Sequence, residues 1–410
     1  MIRAIFLLYV FLDWYTYHGL HSLVPDRWRW PFRLIYGLLS LLVYYCFYQT
    51  YLLLYSGSIF SDASGTVYLG IFLSVLVGKL SFGLLLLPQD VGRILWALVR
   101  RLRGLARSET PEGPLIPSRR QFLTLGATGL AALPFLGMLY GITRGKYRYT
   151  VQNVRLTFSD LPRAFEGFKI VQISDIHAGS FDNPAAVAKG IELINAQAAD
   201  LIVFTGDLVN SDKNEVDPYL DLFAQLQARH GKLATLGNHD YYGEPDGEPQ
   251  RSDYWRDFYA KYRAMGFDLL SNRHRTIERE DERLQILGVE NWGKGPYFPK
   301  KGDLDRALDG VPDRDFCILL SHDPSHWSAK VLPHQRHIAL TLSGHTHGFQ
   351  FGINVPGFKW SPAQYRYPHW MGLYEEAAQK LYVNRGFGYL GFPGRVGMWP
   401  EITVFELASA

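Results

Sequence analysis

Two apolar segments near the N-terminus of this 410-residue chain constrain its fold more than any other feature. Residues 32–55 and 66–87 consist mainly of Leu, Ile, Val, Gly and aromatic residues. Each run is long enough to cross the hydrocarbon layer of a bilayer, which takes about 20 helical residues. Buried helices of a soluble domain would show an amphipathic pattern, which these runs lack. Both segments are therefore predicted to span a membrane.

Two further segments have a weaker spanning pattern. Residues 2–17 are short and are interrupted by Asp13, and residues 121–143 are rich in Gly and Ala. Because only helices or closed barrels satisfy their backbone groups within lipid, we expect about four helices in a transmembrane region over residues 1–143.

Lys79 lies deep within the third predicted span. An unpaired ammonium group is costly at that depth. We therefore expect its side chain to face the helix bundle or a partner such as Asp13, as a structural pair or a snorkelling end; a functional role is the alternative.

The distribution of arginine predicts the orientation of this region. The segment between the third and fourth predicted spans contains these arginines: Arg93, Arg100, Arg101, Arg103, Arg107, Arg119 and Arg120. Its acidic residues are Asp90, Glu109 and Glu112. Because short cytoplasmic loops are enriched in Lys and Arg, we expect an integral protein of a bacterial-type inner membrane whose region after the fourth span is extracytoplasmic. The smaller basic cluster Arg144, Lys146 and Arg148 argues mildly against this orientation.

The segment 118–123, Ser-Arg-Arg-Gln-Phe-Leu, directly precedes the Gly- and Ala-rich run. It is similar to a twin-arginine export signal placed internally. The alternative is an ordinary basic flank of a membrane helix. Both interpretations place the downstream domain outside the cytoplasm.

From residue 168 onward, short apolar runs alternate with helical segments, which is typical of an α/β domain. Strands are predicted over 169–174, 201–205, 233–236, 316–320 and 337–342, and helices over 184–199 and 218–229. No basic stripe with interleaved aromatic residues marks this half of the chain, so a nucleic-acid partner is not expected.

Five polar motifs each follow one of these predicted strands. They are Asp175-Ile-His177, Gly206-Asp207, Gly237-Asn238-His239-Asp240, Ser321-His322-Asp323 and Gly344-His345-Thr346-His347. Taken alone, each has a structural explanation such as a turn, a capped loop or a hydrogen-bonded core histidine. Together they supply imidazole, carboxylate and amide ligands at strand ends, where functional residues of α/β sheets gather. The set predicts a site for two divalent cations, and this ligand chemistry suits Mn, Fe or Zn.

Two residues are predicted to have particular tasks in this site. Asp207 follows its strand without a companion ligand, so it is the candidate for the carboxylate that bridges both cations. His239 is adjacent to the candidate ligand Asn238 and is predicted to protonate the leaving group.

The five motifs, in this order, resemble the five blocks of the calcineurin-like metallophosphoesterases. The resemblance covers residues 148–410, and the segments 169–177 and 318–324 are similar to the membrane-associated branch related to the bacterial phosphoesterases YkuE and YaeI. It implies an α/β fold of four layers, an αββα sandwich in which helices face two mixed sheets.

The resemblance also implies a ligand set, position by position. The first cation would be held by Asp175, His177, Asp207 and His347. The second would be held by Asp207, Asn238, His322 and His345. His239 would be the acid or a phosphate contact, and Asp240 would orient it. The chain departs from the family pattern where Phe349 precedes Gln350, which adds bulk beside the centre.

These features predict a membrane-anchored dimetal phosphoesterase that cleaves a phosphodiester or pyrophosphate bond through a metal-activated hydroxide. The linker 144–152 is short, so an envelope lipid, a lipid-linked phosphate or a lipid-linked nucleotide is the expected substrate. Three alternatives stay open: a UDP-2,3-diacylglucosamine pyrophosphatase of lipid A synthesis if the domain is cytoplasmic, a phosphoesterase acting on wall polymers, and a non-catalytic membrane receptor.

The C-terminal third is rich in aromatic residues, which predict either an acyl-binding groove or ordinary core packing. They are Trp292, Tyr297, Phe298, Trp360, Trp370, Phe387, Tyr389, Phe392 and Trp399. Arg385 and Arg395 lie in the same region and are interpreted either as phosphate contacts or as solvated surface charges.

Overall fold

The computed structural model describes residues 2–56, 63–103, 119–296 and 298–410. The chain divides into two compact units, Met1–Tyr140 and Gly141–Ala410. Some residues used in the sequence predictions lie outside the described ranges: Arg107, Glu109, Glu112, Ser118 and Tyr297.

The N-terminal part of the chain is helical. Its helices are α1 (Ile2–His21), α2 (Arg29–Ser56), α3 (Ala63–Leu102) and α4 (Arg119–Thr143). Within the described residues, three segments are long and apolar enough to cross a membrane: Asp26–Ser56, Gly65–Leu102 and Gln121–Thr143. The first predicted span forms α1 but is not among these three, so the expected total of about four spans stays a prediction.

Helix α3 is longer than predicted. The sequence interpretation ended the third span at residue 87 and treated residues 93–103 as part of a loop, whereas the helix continues to Leu102. The prediction that residues 93–103 form a loop was wrong. The end of an apolar run indicates where a helix leaves the lipid, but the helix itself can continue beyond that point. Residues 91–102 include three Leu and three Arg, which favour helix.

The predicted partner of Lys79 is present. The Lys79 ammonium group forms an ion pair with the Asp13 carboxylate and also donates to Tyr9 Oη at 3.0 Å. The same carboxylate accepts hydrogen bonds from Tyr36 Oη at 3.0 Å and Ser40 Oγ at 2.9 Å. Helices α1, α2 and α3 therefore share one polar network, which offsets the cost of placing charges in an apolar unit.

Replacing Lys79 by methionine is expected to destabilise this unit by about 3 kcal/mol, because removing one partner leaves the other charge buried without compensation. The double variant Lys79→Met/Asp13→Leu should lose less than the single variant. Unfolding of the full chain in detergent, followed by circular dichroism, measures both. A Lys79→Met protein as stable as the parent would contradict this account of the pair.

The second unit is built from strands and short helices. Its described strands are β1 (Thr150–Phe158), β2 (Lys169–Ile173), β3 (Leu201–Phe204), β4 (Lys232–Ala234), β5 (Phe267–Leu269), β6 (Arg273–Arg279), β7 (Glu282–Gly288), β8 (Phe316–Leu320), β9 (Leu340–Ser343), β10 (Ile353–Val355), β11 (Phe358–Trp360), β12 (Gly372–Glu376), β13 (Gln379–Val383) and β14 (Glu401–Ser409). Its described α-helices are α5 (Pro184–Asn195), α6 (Leu220–Ala224), α7 (Gln250–Ala264) and α8 (Leu304–Leu308).

The described strands form two six-stranded sheets and one separate hairpin. The first sheet has the order β1-β14-β2-β3-β4-β5, and the second has the order β12-β13-β9-β8-β7-β6. Both are mixed: β2, β3 and β4 pair in parallel, whereas β14 is antiparallel to β2 and β12 is antiparallel to β13. Strands β10 and β11 pair only with each other.

Three apolar clusters define the layers of this unit. One cluster contains side chains of both sheets, among them Ile170, Leu201, Ile318 and Leu342. A second packs the first sheet against α5, α6 and α7, and a third packs the second sheet against α8 and the segment around Trp327. Strands that are covered on both faces have nearly continuous apolar sequences. Strand β8 (Phe316–Leu320) is an example, because every one of its residues is buried. The four-layer αββα arrangement is thereby confirmed.

The limits predicted for the helix over residues 218–229 were wrong. A 3-10 helix forms at Lys213–Tyr219, and α6 covers only Leu220–Ala224. The earlier start follows from Asp212, whose side chain caps the first turn and forms a capping box with Glu215.

The five motifs follow strands of both sheets. Three of them come after β2, β3 and β4 in the first sheet, and two come after β8 and β9 in the second. The ends of these parallel strands, not a single sheet edge, bring the candidate ligands together.

Candidate metal centre

The first ligand cluster is formed by Asp175, His177 and His347, whose ligand atoms all lie within 4.8 Å of one another. His347 Nε2 is 3.1 Å from His177 Nε2 and 3.2 Å from Asp175 Oδ1. All three residues are buried. The loops after β2 and β9 therefore direct two imidazoles and a carboxylate at one point.

The second ligand cluster is formed by Asp207, His322 and His345, whose ligand atoms also lie within 4.8 Å of one another. His322 Nε2 is 3.1 Å from Asp207 Oδ2. Asn238 completes the group, because its Oδ1 lies 2.8 Å from His345 Nδ1 while its amide nitrogen donates to Tyr242 Oη at 3.0 Å. That donated bond turns the amide oxygen toward the cluster.

Asp207 lies between the two clusters. Its Oδ2 is 3.1 Å from His322 Nε2 and 3.6 Å from His177 Nε2. Its Oδ1 accepts a hydrogen bond from the His239 backbone amide at 2.8 Å. This is the position that a bridging carboxylate needs, and the bridging role itself stays a prediction.

The chemistry of the donor set fits two divalent cations. Imidazole nitrogens, carboxylates and one amide oxygen are the ligands that Mn, Fe and Zn share. His322 Nδ1 donates to the Thr205 carbonyl oxygen at 2.7 Å, which directs Nε2 toward Asp207. Outer hydrogen bonds of this kind hold a ligating imidazole in one orientation.

The electrostatics of the clusters favour positive charge. Burial raises the pKa of Asp175 to about 7, because the charged carboxylate is deprived of water. Burial alone would lower the pKa of His322, but the Asp207 carboxylate outweighs it and raises that pKa to about 10. The neighbouring histidines, His322 above all, hold the pKa of Asp207 well below its usual value despite burial. Divalent cations would supply the positive charge that these carboxylates attract.

The backbone is strained at the candidate ligands. Five of them have positive φ angles between 47° and 72°: Asp175, His177, Asp207, His345 and His347. Such conformations are uncommon for residues other than glycine and cost on the order of 1–3 kcal/mol each. They occur where surrounding structure forces them, often at functional sites. The sequence contains no signal for this strain.

Two glycines of the motifs allow carboxylates to approach the backbone closely. A Cβ atom at Gly237 would lie 2.1 Å from Asp207 Oδ1, and one at Gly344 would lie 2.2 Å from Asp175 Oδ2. No side chain fits at these distances, so any other residue would displace a candidate ligand.

His239 is oriented by a backbone carbonyl. Its Nδ1 lies 2.6 Å from the Asn210 carbonyl oxygen, so we assign the proton to Nδ1. The His239 ring centroid lies 4.9 Å from that of His177, which places it beside the first cluster. His239 is nearly buried, with 9% of the residue surface exposed.

Asp240 holds the backbone of two ligand loops. It was expected to orient His239, and its carboxylate accepts hydrogen bonds from the backbone amides of Gly237 at 2.8 Å, Leu208 at 2.8 Å and Asp207 at 3.2 Å. It therefore ties the loop after β3 to the loop after β4. Its predicted part in orienting His239 stays a prediction.

Sequence reasoning missed the residues behind His345. Tyr367 Oη lies 3.1 Å from His345 Nε2, and Asp323 Oδ2 lies 3.5 Å from the same atom. A hydroxyl or carboxylate on the outer nitrogen of a ligating imidazole fixes the ring. Asp323 is part of the fourth motif, but no role was predicted for it. Tyr367 belongs to none of the motifs, so the sequence contained no signal for it.

The structure places Phe349 beside this group. Phe349 has a φ of 50°, is 44% exposed, and its ring centroid lies 6.1 Å from that of Tyr367. Phe349 thus adds an apolar side chain next to the second cluster, as its position two residues after the fifth motif suggested.

Arg385 and Arg395 are neither solvated nor directed at a phosphate. Both are buried, and Arg385 forms an ion pair with Glu401. Arg395 Nε donates to the Gly388 carbonyl oxygen at 2.7 Å, and its Nη2 lies 3.1 Å from His347 Nδ1. Both earlier interpretations were wrong, because these guanidinium groups hold the loops of the site together.

Three of the eight aromatic residues of this set that the structure describes are buried, and the other five are partly exposed. Trp370, Phe387 and Tyr389 are at most 9% exposed, and Phe387 belongs to the core cluster of the first sheet. Trp292 lines a cavity near the second cluster, and Trp360 lies on the separate hairpin.

Comparisons with known proteins agree with this geometry. Residues 1–146 match a family described as "Probable Calcineurin-like phosphoesterase, transmembrane domain", and residues 168–349 match the calcineurin-like phosphoesterase family. The metallophosphoesterase YkuE of Bacillus subtilis is 33% identical over 300 residues, covering 71% of this chain and 98% of YkuE.

Two further relatives show the same relationship. A Danio rerio transmembrane protein with metallophosphoesterase domain is 28% identical over 316 residues, covering 75% of this chain and 67% of that protein. A metallophosphoesterase of Helicobacter pylori strain J99 is 28% identical over 308 residues, covering 71% of this chain and 73% of that protein. The chain therefore belongs to the membrane-associated branch of the calcineurin-like metallophosphoesterases, a family of metal-dependent phosphoester hydrolases.

Proposed function

We propose that this protein hydrolyses a phosphodiester or pyrophosphate bond of an envelope lipid or lipid-linked nucleotide on the extracytoplasmic side of the membrane. The observation that carries the proposal is a basic cavity beside the second ligand cluster. Its volume is about 600 Å³, and Tyr367, which contacts His345, is part of its wall.

The lining of this cavity suits an anionic group attached to a flat or apolar body. Lys294 and Arg366 supply positive charge, Trp292 and Pro368 supply apolar surface, and the described lining includes no acidic side chain. Arginine in particular matches the geometry of phosphate oxygens. A phosphomonoester has a single phosphate group, and that group would be bound at the metal centre. A diester or pyrophosphate extends beyond the scissile bond and has a second group for the cavity to bind.

The membrane attachment supports a lipid substrate. Helix α4 ends at Thr143 and β1 begins at Thr150, so the linker spans at most about 25 Å even when fully extended. The catalytic unit is therefore confined close to the bilayer. The excess of arginine before α4 supports the extracytoplasmic side.

Each candidate site residue has a task in this reaction. Asp175, His177, Asp207 and His347 would hold one cation, and Asp207, Asn238, His322 and His345 would hold the other. When bound, such cations activate a water and neutralise charge on phosphate oxygens. His239, whose Nδ1 proton is held by the Asn210 carbonyl oxygen, would donate a proton from Nε2 to the departing oxygen when the ring is doubly protonated, while Asp240 and Arg395 keep the ligand loops in place.

The substrate class is tested with the full chain in nanodiscs and Mn²⁺. Thymidine 5′-p-nitrophenyl phosphate should be hydrolysed faster than p-nitrophenyl phosphate. Arg366→Ala should raise the KM for the nucleoside diester about tenfold, as expected for loss of a charge-assisted hydrogen bond, and change the monoester reaction little. The control is Arg314→Ala, an exposed arginine outside the cavity lining. A preference for the monoester, with no effect of Arg366→Ala, would overturn the proposal.

The orientation is tested with reporters fused after residue 410. Alkaline phosphatase should be active there and green fluorescent protein dark if the domain is extracytoplasmic. The opposite pattern would place the domain in the cytoplasm and favour the UDP-2,3-diacylglucosamine pyrophosphatase alternative.

A further inference from the structure

The β10–β11 hairpin has one apolar face and one polar face. Its antiparallel register pairs Ile353 with Trp360, Asn354 with Lys359, and Val355 with Phe358. Because directly paired residues lie on the same side of an antiparallel ribbon, one side carries only apolar residues. We call this side the apolar hairpin face; it consists of Ile353, Val355, Phe358 and Trp360.

This face is open to solvent within the second unit. Ile353 is 47% exposed, Val355 is 51% exposed and Phe358 is 52% exposed. Apolar side chains of an antiparallel pair usually pack on a core, yet the apolar clusters of the described residues include none of the four. Tyr365, which is 78% exposed, extends the surface, since its Oη lies 3.5 Å from Trp360 Nε1. Contiguous exposed apolar residues of this kind mark interaction surfaces.

The hairpin is firmly joined to the loop that carries His347. Ser361 Oγ donates to the Gly348 carbonyl oxygen at 2.7 Å, directly after that ligand. The Gly352 amide donates to the Val396 carbonyl oxygen at 2.9 Å. Whatever the apolar hairpin face binds will therefore be held close to the metal centre.

The surface chemistry and the attachment of the domain identify the occupant as the bilayer. The face bears no charge, and Trp360 and Tyr365 are residue types that concentrate at membrane–water interfaces. Lys359, on the opposite face, can reach lipid headgroups while its stem lies along apolar surface. The linker after α4 keeps the domain at a high effective concentration near the membrane at all times. A soluble partner protein has no comparable advantage.

We propose that the apolar hairpin face inserts into the interfacial layer of the bilayer and so presents the metal centre to phosphate groups of lipids. The evidence for insertion comes from the hairpin and the membrane attachment of the domain, whereas the consequence of insertion for catalysis rests on the proposed function. Two experiments separate these parts.

The first experiment measures insertion in the full chain. Cysteine is introduced at Val355 or, as the matched control, at Asn354 on the other face, and is labelled with the fluorophore NBD in nanodiscs of phosphatidylcholine and phosphatidylglycerol. The parent protein gives the background, because both native cysteines, Cys46 and Cys317, are buried. Spin-labelled lipids should quench the label at residue 355 several-fold more than the label at residue 354. Equal, weak quenching at both positions would overturn the proposal. A label at residue 355 whose emission is blue-shifted but not quenched by spin-labelled lipid would also overturn it, because that result would indicate a contact with protein.

The second experiment measures the catalytic consequence. The probes are dioleoyl-glycerophospho-p-nitrophenol embedded in the nanodisc and water-soluble bis-p-nitrophenyl phosphate. Val355→Ser/Phe358→Ser should lower kcat/KM for the embedded lipid about tenfold through loss of local concentration and leave the soluble ester unchanged, whereas Asn354→Ser should change neither.

A parallel loss on both probes would show that the hairpin is structural and would refute its role in presenting lipids. If neither probe is hydrolysed by any variant while residue 355 is still quenched by lipid, the proposed function fails and the insertion stands.

Discussion

Replacing Asp207 by asparagine is expected to lower kcat/KM for bis-p-nitrophenyl phosphate at least about a thousand-fold, equivalent to about 4 kcal/mol of transition-state stabilisation. Asparagine keeps the size of the side chain and an oxygen that can accept the 2.8 Å hydrogen bond from the His239 amide. It removes the negative charge between the two ligand clusters, and a neutral amide holds two cations poorly. The metal content, measured by mass spectrometry, should fall from two ions per chain to one or fewer.

The control for this variant is the same substitution at the other end of β3. Asp200 precedes the strand, and its carboxylate accepts a hydrogen bond from the Lys169 amide at 2.9 Å. Asp200→Asn should therefore keep both metal ions and nearly full activity. An Asp207→Asn protein that retains two metal ions and activity within tenfold of the parent would exclude Asp207 as the bridge.

Replacing His239 by asparagine should change how the rate depends on the leaving group. If His239 protonates the departing oxygen, its loss should cost a factor of about 10²–10⁴ for an alkyl diester. The cost should be far smaller for a p-nitrophenyl ester, whose leaving group departs readily as the anion. Measuring kcat/KM across diesters with leaving groups of rising pKa should give a steeper dependence for the variant than for the parent.

A matched histidine distinguishes this role from a structural one. His274 Nδ1 lies 3.2 Å from the Ala307 carbonyl oxygen, which resembles the contact between His239 and Asn210, but His274 lies on β6 outside the ligand clusters. His274→Asn should leave the leaving-group dependence unaltered. A uniform loss for every diester in His239→Asn would indicate that His239 binds the phosphate and is not the acid.

The sequence anticipated the elements that depend on local chemistry. The apolar runs predicted membrane helices, because the hydrocarbon layer sets the length of a span. The run Phe316–Leu320 predicted a strand, and its limits are those of β8, whose residues are all buried. The limits of α3 and α6 were missed, because a basic segment can remain helical and a capping residue can shift the first turn.

The tasks of individual residues were less predictable. Asp240 follows His239 in sequence but holds the backbone of two loops, while Asn210, from another loop, orients the imidazole. Arg395 contacts His347 from 48 positions away, whereas the sequence suggested for it only a phosphate contact or a solvated charge. Such contacts depend on which loops the two sheets bring together, and a pattern read along one chain segment does not contain that information.

The sequence by itself therefore determined the kinds of ligand and the order in which the strands deliver them, because ligand chemistry and burial are properties of single residues and their neighbours. Only the tertiary structure decided that Asp207 lies between two clusters, that Asn238 meets His345 across 107 positions, and that the hairpin next to the site exposes an apolar face. These are distances between groups far apart in the chain, and packing of the two sheets sets them.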